Sequence, residues 1–323
     1  MSALAVSVIS PTGSVTSVEH SAEGETPTDR TLFLTGSLGK TMMAATTLLL
    51  AEEGVLDLDE PIERWLPEFP RADEISLRQL LSHTAGLQEQ REGTDISPGP
   101  EALAALQEAK TQTELLAEAA SAVGDGSLPA SHRYSNAGYW VVATIIESAT
   151  GESLNDVLRG HVFEPLGMAD TYAEWSATID QDIVGGELTL PDGEKWPLGT
   201  EHLPAVMSRQ SGAGDFLSSS RDVATFYRAM LRDLMAPASV EAMTTIPAGS
   251  DYGLGISMRE WQGGITGWGH DGLTDGYSVA AGLADGWTVA VLTNQVDLAD
   301  ANGSHKQARA RIGEVLAHIN ANG

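Results

Sequence analysis

Tyr277-Ser278-Val279-Ala280-Ala281-Gly282-Leu283, the turn Ala284-Asp285-Gly286, and Trp287-Thr288-Val289-Ala290-Val291-Leu292-Thr293-Asn294 form the stretch on which the fold turns. Two short apolar runs joined by an Asp-Gly turn read as neighbouring antiparallel strands. Upstream, Gly253 to Met258 and Gly264 to Gly269 are further β-like runs, so the C-terminal part reads as a meander. At the other end of the chain, Ala3 to Val8 and Gly13 to Glu19 flank Pro11-Thr12-Gly13 and read as a hairpin. Helical patterns lie between: Ser37 to about Glu53 with a stop at Gly54, Leu103 to Val123, Ala137 to Thr150 before Gly151, Ser153 to Phe163 and Asp222 to Leu234. Pro61 to Leu66 and Leu77 to Leu81 are short helical candidates, and Ser304 to Asn320 is a closing helix. Strands at both ends with helices between them predict an α+β fold, an antiparallel sheet drawn from both termini and flanked by helices. The expected division is 1–55 plus 225–323 for the sheet domain, with 56–224 as a mainly helical insertion.

Composition narrows the function classes. The 323 residues carry 18 Lys+Arg against 45 Asp+Glu, a net charge of −27, so the chain lacks the basic face that nucleic acid or an anionic membrane requires. With no cysteine there are no disulfides, thiolate nucleophiles or zinc–thiolate sites. The eight histidines show no metal-ligand spacing, and no phosphate-cradling Gly-x-x-x-x-Gly-Lys loop occurs, so neither metal nor other cofactor is expected. No run approaches the length of a membrane span, and Met1 to Pro11 lacks a basic n-region, so the expectation is a cytoplasmic protein. A chain trimmed of its leader would read the same. The acid surplus suits a high-salt cytoplasm, where screening keeps crowded carboxylates soluble; a codon bias toward Arg, Ala, Gly and Asp gives the same composition more simply.

Three short segments carry chemistry. In Ser37-Leu38-Gly39-Lys40 the hydroxyl and the amine stand three residues apart, on one face of a helix start. There an amine can act as base for a hydroxyl nucleophile, and outward backbone N–H groups can hold an oxyanion. Tyr134-Ser135-Asn136 offers a phenol for proton transfer and an amide for a substrate carbonyl; a packed Tyr followed by an Asx turn is the plain alternative. His270-Asp271-Gly272 lies in the glycine-rich run from Gly267, where glycines permit close backbone approach and a turn between strands is the plain alternative. Two other serine arrangements are excluded. Adjacent Ser82 and His83 cannot adopt triad geometry, and Thr35 occupies the first Gly position of a Gly-x-Ser-x-Gly elbow.

Taken in order, Ser-x-x-Lys, Tyr-x-Asn and His-x-Gly resemble the three motifs of the penicillin-recognising serine hydrolases, in the branch of class C β-lactamases, serine D-alanyl-D-alanine carboxypeptidases and related esterases. Leu80-Leu81-Ser82-His83-Thr84-Ala85-Gly86-Leu87, Tyr134 to Tyr139, Pro165-Leu166-Gly167-Met168, Ala213-Gly214 with Ser218 to Ala224, and Tyr252-Gly253-Leu254-Gly255 are similar to further segments of that family. The resemblance covers about residues 5 to 320 and implies a β-lactamase-like fold. It implies Ser37 as acylated nucleophile, Lys40 and Tyr134 sharing the acid–base work, and Asn136 binding the substrate. It also implies an oxyanion hole from the N–H groups of Ser37 and Leu273, just after Gly272. His270 stands where many relatives carry Lys, facing the substrate and its carboxylate.

The implied reaction is hydrolysis of a small ester, amide or peptide through an acyl-enzyme. A non-hydrolytic penicillin-binding or sensing module, and a biosynthetic acyltransferase, are the alternatives; oligomeric state is not legible. Asp271 and Asp275 replace residues that are usually uncharged in relatives, which predicts charge beside the acyl site, repulsion of carboxylate substrates and weak or no β-lactamase activity.

Overall fold

The computed structural model describes residues 3–22, 24–88, 108–214, 216–261 and 264–322. The chain opens with β1 (Ala3–Ile9) and β2 (Val15–Ser21), then β3 (Phe33–Leu34), a 3-10 turn at Gly36–Leu38 and α1 (Gly39–Glu52). The middle contains α2 (Leu77–Leu81), α3 (Gln112–Ser121), α4 (Asn136–Thr150), α5 (Leu154–Leu158) and α6 (Glu164–Leu166). It continues through β4 (Thr171–Tyr172), β5 (Gly186–Thr189), β6 (Lys195–Leu198), α7 (Leu203–Ser208), β7 (Leu217–Ser218), α8 (Ser220–Met230) and α9 (Pro237–Thr244). The meander β8 (Ser257–Trp261), β9 (Ile265–Thr274), β10 (Tyr277–Ala284) and β11 (Trp287–Thr293) follows, then β12 (Gln295–Asp297) and α10 (Ala301–Asn322).

The main sheet has the order β2-β1-β11-β10-β9-β8. Both termini build it, because β1 pairs antiparallel with β11, Val6 opposite Val291 and Ala5 opposite Leu292. Side chains alternate across a strand, so each strand buries two different sets. Val279, Ala281, Ala290 and Leu292 join the large core with Phe226 and Tyr227 of α8. Ala280, Val289 and Val291 pack on Ala308, Ile312 and Leu316 of α10. Smaller sheets join β3, β7 and β4, and join β12, β5 and β6.

Helix α1 runs through the centre and is buried on nearly every side, as expected of a helix apolar around its circumference. Its polar residues are satisfied internally: Thr46 and Thr47 donate to the carbonyls of Met42 and Met43, and Thr41 donates to Gly255 O at 2.6 Å. Gly54 stops it with φ +74°.

Some sequence boundaries shift for local reasons. The expected helix Leu103–Val123 begins at Gln112, where Thr111 and Glu114 close a capping box; residues 103–107 lie outside the described residues. The β-like run from Gly253 becomes a strand only at Ser257, because Gly255 turns the chain with φ +68°. Strand β9 does not end at Gly269 but continues to Thr274, which puts His270-Asp271-Gly272 inside a strand. Among the described residues no helix is long and apolar enough to cross a membrane.

Candidate active site

The 3-10 turn delivers Ser37 to the head of α1, half-exposed, with Lys40 fully buried one turn below. Gly36 takes φ +51°, and a Cβ there would lie 3.1 Å from Leu273 N, so the turn presses its backbone against β9. Gly39 is required by packing as well, since any side chain would enter the Phe216 ring. Lys40 Nζ lies 3.0 Å from Ser37 Oγ, 2.6 Å from Asn136 Oδ1 and 2.5 Å from the Ala213 carbonyl. Three acceptors thus fix the amine beside the hydroxyl, and one of them comes from the other motif.

Tyr134 and Asn136 enter at the start of α4. Ser135 caps this helix, its Oγ accepting from Gly138 N at 3.3 Å, which places Asn136 in the first turn facing Lys40. Tyr134 precedes the cap, is 40% exposed, and has its ring centre 5.0 Å from Lys40 Nζ. His83 packs against that ring with centroids 4.3 Å apart.

Strand β9 supplies the third wall. Gly272 passes so close to the 3-10 turn that a Cβ would collide with the Thr35 carbonyl oxygen and with Val279. Leu273 follows it with its backbone against Gly36, the residue before Ser37. His270 is on the same side, its ring centroid 6.4 Å from that of Tyr134, but the carboxylate-binding role implied for it needs correction. The side chain is buried: Nδ1 lies 2.6 Å from Asp271 O and Nε2 2.9 Å from Tyr252 Oη. A carbonyl only accepts, so Nδ1 carries the proton and Nε2 accepts from the phenol. Burial first, then the charges of Lys40 and Arg259, push the imidazole pKa down to about 3, leaving it neutral.

The expected charge beside the acyl site is also corrected. His270 faces the site, so period-2 alternation turns Asp271 to the opposite face. There it pairs with Arg309 of α10, whose Nε donates at 3.0 Å, and lies 3.5 Å from Arg259. Asp275 is buried in the β9–β10 turn, 3.3 Å from Arg209, and burial raises its pKa. Neither carboxylate is an open charge at Ser37.

The sequence reading did not assign roles to Ala213, Tyr252 or His83. Ala213 and Tyr252 occur in segments similar to family motifs, but their contacts with Lys40 and His270 span the fold. Among the described residues no group of three or more His, Asp or Glu side chains could hold a metal ion. What the site brings together is a hydroxyl, an enclosed amine, a phenol and an amide, with strand β9 packed against the turn that carries the hydroxyl.

The Beta-lactamase family model matches residues 4–314. Penicillin-binding protein 4 of Amycolatopsis lactamdurans is 30% identical over 308 residues, covering 86% of this chain and 76% of that protein. The Bacillus subtilis (strain 168) protein PbpX is 27% identical over 287 residues; the match covers 88% of this chain and 65% of that relative's length. The solved D-stereospecific amidohydrolase from Streptomyces sp. has a TM-score of 0.78 at 25% identity, covering 95% of this chain and 93% of that one. With the family model running almost end to end and the Ser-x-x-Lys pair bonded to the Tyr-x-Asn segment, the chain belongs to the beta-lactamase family.

Proposed function

We propose that the protein hydrolyses small amides or esters whose recognised end is uncharged, amino-acid amides and esters above all, through an acyl-enzyme on Ser37. The observation that carries this reading is the Lys40 amine, held 3.0 Å from Ser37 Oγ by Asn136 and Ala213. In the proposed acylation Ser37 Oγ attacks the carbonyl carbon as its proton passes to the Lys40–Tyr134 pair. The N–H groups of Ser37 and Leu273 receive the oxyanion, and Asn136 bonds the acyl side of the substrate. The leaving amine or alcohol takes the proton as its bond to carbon breaks. Water then repeats the sequence and releases the acid.

The uncharged end follows from His270. At the place where many relatives carry Lys, a neutral imidazole is engaged by Tyr252 and Asp271 O and supplies no positive charge for a carboxylate. The D-stereospecificity of the similar Streptomyces amidohydrolase adds D-amino-acid amides to the panel. Weak or no β-lactamase activity is retained as part of the proposal, now on the ground of this neutral imidazole rather than of Asp271.

The test is a rate comparison on p-nitrophenyl esters, D- and L-alanyl amides, a D-alanyl-D-alanine peptide and nitrocefin, with wild type and Ser37→Ala. Amides and esters should be turned over faster than the carboxylate-ended peptide and nitrocefin, and Ser37→Ala should lose at least about 10³-fold. Turnover that survives Ser37→Ala ends the nucleophile assignment; a preference for carboxylate-ended substrates ends the substrate assignment.

A further inference from the structure

His83 was set aside as half of an impossible Ser82–His83 triad, yet the fold maintains it at some cost. It is a non-glycine residue at φ +59°, in the left-handed region that side chains seldom adopt. Its ring is buried, and Nε2 has no hydrogen-bond partner. An orphaned polar nitrogen and a strained backbone at one residue need something that holds them in place.

The contacts of His83 converge on Tyr134. Its carbonyl accepts from Arg133 N at 2.9 Å, and its Nδ1 accepts from Ser135 N at 3.2 Å. The amides on either side of Tyr134 are therefore both bonded to residue 83. Since Nδ1 accepts, the proton sits on Nε2. One residue further, Thr84 O accepts from Ala130 N at 2.8 Å, extending the attachment along the segment that leads to the motif. The ring then packs at 4.3 Å on Tyr134, with Tyr252 at 4.7 Å, Tyr139 at 5.4 Å and His132 at 5.6 Å around it. Protonation would give Nδ1 a hydrogen aimed at the Ser135 N–H and destroy the contact. Burial first, then the charge of Lys40, opposes protonation and keeps the ring a neutral acceptor.

We propose that His83 is a positioning residue for Tyr134: as a neutral acceptor in a left-handed turn it fixes the backbone on both sides of the phenol, and so aims that phenol at Lys40 and Ser37. This rests on the acyl-enzyme reading above, in which Tyr134 moves a proton. It differs from a general packing role because it acts through one side chain.

The experiment is a double-mutant cycle with folding checked by thermal melts. H83G keeps the positive φ and removes the acceptor; H83N keeps the φ and offers an amide oxygen near the place of Nδ1. Each is made in wild type and in Tyr134→Phe, and kcat and KM are read on a p-nitrophenyl ester. H83G should lower kcat about 10- to 100-fold with KM within three-fold, and H83N should restore kcat to within about five-fold of wild type. In the Tyr134→Phe background H83G should cost less than three-fold more. An equal loss in both backgrounds, an H83N as impaired as H83G, or an unaffected H83G overturns the proposal. If H83G does not fold, H83N decides: kcat within five-fold of wild type supports an acceptor role, and a loss of ten-fold or more overturns it. Activity that survives Ser37→Ala instead removes the underlying reading, so the two failures are distinct.

Discussion

On the face of β9 turned toward α1, Gly272 leaves no room for a side chain and His270 is a neutral ring bonded to Tyr252. On the face turned toward α10, Asp271 is a carboxylate between two arginines. Adjacent residues of one strand thus serve opposite ends. In the proposed acylation the first face keeps fixed charge and bulk away from Ser37, leaving the backbone N–H of Leu273 and the Lys40 amine to act there. The second uses full charge to fasten a helix. If this division is right, changes on the first face alter rate, and changes on the second alter stability with little effect on rate.

The largest expected effect is at Gly272. In Gly272→Ala the new methyl must displace either Val279 or the Thr35 carbonyl, and the latter belongs to the turn that presents Ser37. Misplacing one oxyanion donor costs about 10²–10³ in turnover, so kcat on an ester should fall by that amount. Gly160→Ala is the control, because nothing lies within 4 Å of a Cβ there. Its kcat should stay within two-fold of wild type. A Gly272→Ala enzyme of wild-type rate would break the comparison at its first face.

Asp271→Asn tests the second face. It leaves Arg309 and Arg259 without their shared anion, and Asp271 is buried while Arg309 is 37% exposed. Removing one member of a buried pair costs about 3–5 kcal/mol; partial exposure of Arg309 discounts this to about 1–3 kcal/mol, read as a fall in the urea midpoint. The kcat for an uncharged ester should stay within three-fold. A ten-fold gain on a carboxylate-ended substrate would mean that the Asp271 charge reaches the site after all.

These faces also mark what was readable beforehand. The Ser37–Lys40 pair was legible because three-residue spacing on a helix start fixes it locally. The meander and its joining to the N-terminal hairpin were legible because the period-2 runs are long and punctuated by Gly and Asp. The orientation of Asp271 was misjudged because its charge was read from its place in the motif and not from the strand; with the run a strand, alternation alone sends Asp271 away from His270. The His83, Tyr252 and Ala213 contacts cross 52, 18 and 173 positions of sequence, and no local pattern specifies them. The left-handed backbone at His83 is equally hidden, since no glycine marks it.

The smallest expected effect is a pH slope, and it tests the first face by titration. His270 has a folded pKa of about 3 against an ordinary 6.5. Between those values the unfolded chain holds a proton that the native ring refuses, so stability falls as pH falls from 6.5, by at most about 1.4 kcal/mol per pH unit. His83, whose pKa is also depressed by burial, acts in the same sense. Asp222 acts in the opposite sense: burial raises its pKa to about 6, so the native state holds a proton that the unfolded chain has lost, and acidification through 6 adds stability. Urea midpoints between pH 6.5 and 4.5 should therefore show a shallower acid loss in His270→Asn than in wild type, and a steeper one in Asp222→Asn. An unchanged slope in His270→Asn would mean that the imidazole titrates normally when folded. The site would then hold a cation at mildly acidic pH, and the preference for uncharged substrates would lose its physical basis there.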